Sequence, residues 1–311
     1  MTALLAIEEL RVDYEDVTAV DDVSFTVEAG MVYGLIGPNG AGKTSIIRVI
    51  STLLEPTYGV VRVGGVNVID SPLAALPRIG LMPDFPPVYE DLTVWEFLDL
   101  FASAYGIPRE SRGPRIDELL DSVQLTEKAK SPAGSLSRGM KQRLFLAKTL
   151  LHDPDVLLLD EPASGLDPRA RMDLRDVIVG LGKRGKAVLV SSHILSEMAD
   201  FCNSVGIMEQ GRMVVTGRIQ DILRQMRPAR SMALKLLRPD DGIGAWLAAR
   251  AGIQSVAADG ERVTFDFEGD LDGVATLLRD LVSQGYPLVD FHEREGNLQD
   301  IFLSVSAGRV S

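Results

Sequence analysis

The sequence predicts an α/β fold with a mostly parallel sheet, followed by a smaller α+β unit. Three observations carry that expectation. Short β-rich runs alternate with helical ones over the first 230 residues, the pattern of strands joined by helical crossovers. Continuous apolar runs such as Val32 to Ile36 and Val156 to Leu159 read as strands buried on both faces. The tail then changes rhythm to strand, helix, strand, strand, helix, strand, the order of a ferredoxin-like unit. A length of 311 residues is compatible with about two domains.

Ile7 to Tyr14 and Val20 to Glu28 alternate apolar and polar residues with period two, as half-buried strands do. Val32 to Ile36 runs into glycine and predicts a central strand, and Ser45 to Leu54 reads as a helix before Pro56 and Gly59 punctuate the chain. Amphipathic periodicity predicts helices over Thr93 to Tyr105, Ile116 to Val123 and Ser137 to Leu151. Val156 to Leu159 and Ala187 to Ser191 read as buried strands. In the tail, strands are expected at Ser231 to Leu237, Ile253 to Ala257, Arg262 to Glu268 and Pro287 to Glu293. Helices are expected at Ile243 to Ala251, Leu271 to Gln284 and, finally, Leu298 to Val305. Arg224, Arg227, Pro228 and Arg230 form a short basic junction, and the domain boundary is placed there, as 1–225 and 226–311.

Composition narrows the function classes. The chain carries 32 basic and 44 acidic residues, a net charge of -12, which argues against broad affinity for nucleic acid or anionic lipid. Residues 231–311 hold seven basic and thirteen acidic residues, so half of the net negative charge sits in the last quarter. No apolar run approaches the roughly 18 residues that span a bilayer. Met1 to Leu10 carries Glu8 and Glu9 where a secretory signal has basic residues. A single cysteine, Cys202, fits a reducing compartment. The expectation is a cytoplasmic protein with no membrane span of its own.

Gly37 to Thr44 reads GPNGAGKT and satisfies GxxxxGK[ST] between a predicted strand and a predicted helix. Glycines let the backbone turn successive N–H groups inward toward phosphate oxygens. The following helix aims the positive end of its dipole at the same point. Lys43 reaches the β- and γ-phosphates, and the Thr44 hydroxyl is a Mg²⁺ ligand. Val156 to Pro162, VLLLDEP, places two acids at the carboxyl end of a buried strand, where open α/β sheets bind ligands. Asp160 is assigned to Mg²⁺, and Glu161 is placed to take a proton from attacking water.

Further motifs carry a family resemblance. Ser135 to Arg143, SLSRGMKQR, resembles the ABC signature and lies just ahead of VLLLDEP. Ser164 to Asp167, SGLD, resembles the D-loop, and His193 in SSHILSE resembles the switch histidine. In this order the motifs resemble those of ABC transporter ATPases over about residues 5 to 220. The resemblance implies a P-loop NTPase cassette with a mixed sheet core, a helical subdomain over about 84–150, and ATP and Mg²⁺ as cofactors. It further implies that Tyr14 stacks on adenine and that Gly37, Pro38, Asn39, Gly40, Ala41, Gly42, Lys43, Thr44 and Ser45 hold the phosphates. His193 contacts the γ-phosphate, Asp167 belongs to the nucleotide site, and Ser137 and Gly139 cap the phosphate of an opposite subunit. From the residues alone, Ser137 also reads as an ordinary helix cap and Tyr14 as a packed strand aromatic.

Three positions depart from the family pattern. Arg138 stands for a glycine and Met140 for a glutamine in the signature, and Asp84 stands where the family has its Q-loop glutamine. A carboxylate is a hard oxygen ligand, so Asp84 is kept as a metal and catalytic candidate. One cassette per chain with a signature acting in trans implies a second cassette, identical or related. The expected function is the ATP-hydrolysing subunit of an ABC transporter, docked to separate membrane permease subunits near Phe85 to Trp95, on the cytoplasmic face of the membrane. Gly296 to Val305, GNLQDIFLSV, resembles the end of export-type subunits. The alternatives are a soluble ABC-type factor acting on ribosomes or nucleic acid and a regulatory ATP binder. The tail carries no chemical motif, and His292 among Glu293, Arg294 and Glu295 reads as a solvated strand end.

Overall fold

The computed structural model describes residues 3–84, 87–194, 198, 201–226 and 229–294. It divides into two compact units, Met1–Ile219 and Gln220–Ser311.

The first unit opens with β1 (Ala3–Tyr14) and β2 (Val17–Glu28), whose alternating burial follows their period-two sequence. The third strand, β3 (Val32–Ile36), is buried at every position, as its continuous apolar run requires. Next come α1 (Lys43–Ile50), β4 (Tyr58–Val63), β5 (Val66–Asn67), the short α2 (Pro72–Ala75) and β6 (Ile79–Met82). Helices α3 (Val94–Ala104), α4 (Arg109–Ser122) and α5 (Arg138–Thr149) pack on one another. Fully buried β7 (Val156–Leu159), α6 (Pro168–Lys183), β8 (Ala187–Ser192), β9 (Ser204–Glu209) and β10 (Arg212–Arg218) complete the unit, with α7 (Ile219–Met226) starting at its last residue.

Two sheets form. One is antiparallel, in the order β2-β1-β4-β5; the other has six strands in the order β10-β9-β3-β8-β7-β6. Within the six, only the β9–β10 pair is antiparallel. Side chains of both sheets and of α1 share one apolar core, including Leu5, Val23, Leu35, Ile46 and Leu158. Parallel pairing has a direct consequence for chemistry: β3, β8, β7 and β6 are neighbours, so their carboxyl ends open on one edge.

Several boundaries differ from the sequence expectation for local reasons. Helix α1 stops at Ile50, where Ser51 Oγ donates back to the Ile47 carbonyl at 2.8 Å and Thr52 turns to φ 61°. Helix α4 starts seven residues before the expected Ile116 and contains Pro114, because its first half is charged and carries no apolar period. Helix α6 escapes periodicity in the same way, its first two turns reading PRARMDLRD.

The second unit contains β11 (Arg230–Leu236), α8 (Ile243–Ala248), β12 (Ile253–Asp259), β13 (Arg262–Phe267), α9 (Leu271–Ser283) and β14 (Leu288–Glu293). Its sheet order is β12-β13-β11-β14 with every pair antiparallel, the split βαβ arrangement. Met232, Leu234, Leu236, Phe265 and Leu281 form its core. The helix expected over Leu298 to Val305, and Gly296 and Asn297 before it, lie outside the described residues.

Candidate functional site

The ends of β3, β6 and β7, with Ala19 of β2, build a cleft of about 470 Å³, lined by Ala19, the Asn39 to Ser45 segment, Asp84, Asp160 and Glu161. From β3 the chain enters the glycine-rich loop. Gly42 sits at φ 100°, and a Cβ there would collide with the Ala19 carbonyl, so only glycine closes this turn. A Cβ on Gly37 would strike the Met208 carbonyl of β9, which forces the same choice. Helix α1 begins at Lys43, directing its free N–H groups at the cleft.

Lys43 is only 6% exposed. Its Nζ donates to the Gly37 carbonyl at 2.7 Å and to the Pro38 carbonyl at 3.1 Å, and lies 3.8 Å from Glu161 Oε1. Burial pushes its pKa down, while Glu161 and Asp160 act in the opposite direction. The ammonium is thus desolvated and aimed into a cleft where an anion satisfies it.

The acidic pair at the end of β7 is held by β8. Asp160 Oδ2 accepts from Thr44 Oγ1 at 3.1 Å, and its Oδ1 accepts from Ser191 Oγ at 2.6 Å. The same Ser191 oxygen accepts the Glu161 N–H at 2.9 Å. That bond helps hold Glu161 at φ 48°, a left-handed conformation that costs a non-glycine residue energy and recurs at functional sites. His193 Nδ1 lies 2.9 Å from Glu161 Oε2. Ser191 is fully buried and the sequence reading gave it no role, although it stands in the same SSH stretch that singled out His193.

Thr44 and Asp160 are adjacent hard oxygens, the donor type Mg²⁺ takes. Among the described residues no group of three His, Cys, Asp or Glu side chains forms a closed metal cage. The donor set therefore fits an ion that takes its remaining ligands from phosphate and water.

Asp84 follows β6 and lines the same cleft. Its Oδ1 is buried with no hydrogen-bond partner. Desolvation raises its pKa above the ordinary aspartate value, and Asp160 and Glu161 add to this; Arg138 and His193 pull it back. A carboxylate with a raised folded-state pKa weakens folding above the unfolded value, near 4. Asp84→Asn is therefore expected to raise Tm at pH 7, with the gain shrinking as pH falls from the raised folded-state value toward about 4 and lost by about pH 3. Thermal denaturation at the two pH values measures this. An equal gain at both would remove the electrostatic explanation.

The remaining sequence candidates lie outside the lining of this cleft. Tyr14 is 39% exposed, not a core aromatic, and its hydroxyl is 3.3 Å from Ser45 Oγ. Ser137 caps α5, accepting from the Met140 N–H at 3.3 Å, and Asp167 caps α6, accepting from the Ala170 N–H at 2.9 Å. Gly139 is buried where α5 meets α6; a Cβ there would stand 2.8 Å from the Ala170 methyl. Its small size has a packing reason within this chain alone.

A family model described as ABC transporter matches residues 20–164. The Nod factor export ATP-binding protein I of Ralstonia nicotianae is 32% identical over 306 residues, covering 98% of this chain and 94% of that protein. The uncharacterized ABC transporter ATP-binding protein YxlF of Bacillus subtilis is 34% identical over 303 residues, covering 97% and 99%. A solved ATP-binding subunit of an ABC transporter matches at 34% identity with a TM-score of 0.65, covering 72% of this chain and 93% of that one. An ATP-binding cassette in its ADP conformation shares the fold at 23% identity, with a TM-score of 0.65 over 71% of this chain and 93% of its own.

Proposed function

Because this chain belongs to the family of ABC transporter ATP-binding proteins and is an ATPase of that type, we propose that it powers an exporter as a dimer beneath separate membrane subunits. The observation that carries the chemistry is the junction of Lys43, Asp160, Glu161 and His193 at one cleft edge. ATP lies with its phosphates on the Gly37 to Ser45 loop, its adenine against Tyr14, and its γ-phosphate between Lys43 and His193. Thr44 and Asp160 would hold Mg²⁺, and Asp84 lines the same cleft. The ion would supply neutralisation of phosphate charge there. Glu161, fixed by Ser191 and His193, accepts the proton of the attacking water.

Ser137, Gly139 and Asp167 serve the cleft of the opposite cassette. Ser137 is exposed at the amino end of α5, where the helix dipole favours an anion, which supports a contact made between subunits. Export is supported by the Nod factor export relative, which aligns along nearly the whole chain including the C-terminal unit.

Docking to the membrane subunit is assigned to the segment around Tyr89 to Trp95; Phe85 and Pro86 lie outside the described residues. Tyr89 is 58% exposed and its ring stacks 6.4 Å from Phe101, beside Phe97. Among the described residues no helix is long and apolar enough to cross a membrane, so attachment rests on such contacts. Tyr89→Asp is expected to abolish co-purification with membrane subunits while leaving ATP affinity within about twofold, since it lies off the nucleotide cleft. Undiminished recovery from membranes would refute this docking site.

A further inference from the structure

The sheet of the C-terminal unit has one face packed on its apolar core and, among the described residues, no helix on the other. On the bare face the strand register sets two rows of side chains. One row is His292, Ala233, Thr264 and Ala257; the next is Asp290, Lys235, Arg262 and Asp259. The first row is small at its centre, and a hollow of about 410 Å³ lies over it. The second row sets Lys235 directly opposite Arg262 on the neighbouring strand. Like charges in that position repel and destabilise a sheet. Arg294 closes the far side, its backbone N–H fixed on the Ser231 carbonyl at 2.7 Å.

Three of the seven Lys and Arg residues of positions 231–311 therefore ring one hollow, in a segment with thirteen acids. Local acids offset them only in part. Glu261 is 3.9 Å from Lys235, and Asp259 faces Arg262 across the strands from outside the hollow. Asp290 is the one acid in the lining and sits 2.9 Å from His292. A rule of sheet pairing is broken where an anion would repair it, and conflicts of this kind mark functional sites.

We propose that this hollow is a binding site for a phosphate group carried by a small molecule. The volume falls within the range of metabolite-sized pockets, about 300 to 1,000 Å³. Two guanidinium forks and an ammonium match the geometry of phosphate oxygens, and the Thr264 hydroxyl adds a donor on the floor. The lining offers no aromatic platform besides His292, so stacked nucleic-acid bases have little to rest on. The phosphate comes from a soluble metabolite or from a lipid headgroup; both present the same chemistry.

The test uses the full chain with its ATP cleft saturated by ADP, so that the glycine-rich loop cannot take the probe. Inorganic pyrophosphate is titrated while backbone hydrogen exchange is followed on β11, β13 and β14. In parallel, phosphatidylglycerol and phosphatidylcholine vesicles are sedimented with the protein. Protection by pyrophosphate that weakens about tenfold or more in Arg262→Gln and again in Arg294→Gln supports the soluble source. Sedimentation with phosphatidylglycerol alone, lost in the same variants, supports the headgroup. Unchanged exchange and no sedimentation, or responses that the two variants share with the parent, overturn the site. Parent-like hydrogen exchange of β11, β13 and β14 in the variants without probe establishes that the second unit is folded.

Discussion

Glu161→Gln is expected to keep ATP binding and lower steady-state turnover by about 10²- to 10⁴-fold, the range that a positioned general base contributes. Glutamine has the shape of the carboxylate but cannot accept the proton of water. The substitution leaves the backbone support in place, because Ser191 Oγ holds the N–H of residue 161, and the amide of glutamine can still hydrogen-bond His193 Nδ1 where Oε2 did. It also removes one negative charge from beside the γ-phosphate, 3.8 Å from the Lys43 ammonium, so bound ATP is repelled less. Both changes act in one direction: ATP enters, closes two cassettes and stays. Phosphate release measures the first effect. Gel filtration with ATP measures the second, as a shift of the variant from monomer to dimer. Turnover equal to the parent would eliminate Glu161 as the base.

What could be read from sequence was what covalent spacing fixes. The phosphate loop lies in eight consecutive residues whose glycines are set by local turns, so its strand-loop-helix context was legible before any fold was known. The acidic pair was legible because it ends an apolar strand. Ser191 was not. Its two bonds to the acidic pair span 31 and 30 residues and exist only because β7 and β8 are neighbours, which periodicity does not state. Position 84 was legible as a departure from the family pattern, but its buried Oδ1 was not, because burial there follows from tertiary packing around the end of β6. In the tail, the order of elements anticipated the antiparallel sheet, whereas the confrontation of Lys235 and Arg262 required the register. Charged helix starts were a further loss, beside the strands Tyr58–Val63, Ile79–Met82, Ser204–Glu209 and Arg212–Arg218. Helices α4 and α6 are held by apolar residues in their later turns, Ile116, Leu119 and Leu120 in one and Leu174, Val177 and Leu181 in the other.

Lys43→Met is expected to separate binding from stability. Methionine keeps most of the aliphatic stem and removes the charge. Burial makes the Lys43 ammonium harder to protonate in the folded chain than in the unfolded one, despite Glu161 and Asp160 nearby. A base whose pKa is lowered on folding weakens the fold at every pH below its unfolded value, neutral pH included. Removing the charge therefore relieves the folded state. Against this stand the Gly37 and Pro38 carbonyls, which lose their donor, and a cleft left with Asp84, Asp160 and Glu161 lacking a cation within it. The Pro38 carbonyl keeps the Ala41 N–H at 3.1 Å, whereas the buried Gly37 carbonyl loses its donor, a cost of about 1 to 3 kcal/mol. The two effects oppose each other, so melting without nucleotide should change little. With ATP the outcome reverses. Each charge-assisted bond to phosphate is worth about 1.5 to 3 kcal/mol, so affinity should drop by about 10- to 150-fold. The parent gains about 2.7 kcal/mol from ATP at a hundred times its Kd. At that same concentration the variant gains from about half down to about a tenth as much, which the ATP-induced rise in Tm reads directly. A variant that melts far below the parent without ATP would show Lys43 to be a structural residue. One that keeps the full ATP-induced rise would show that the phosphates lie elsewhere.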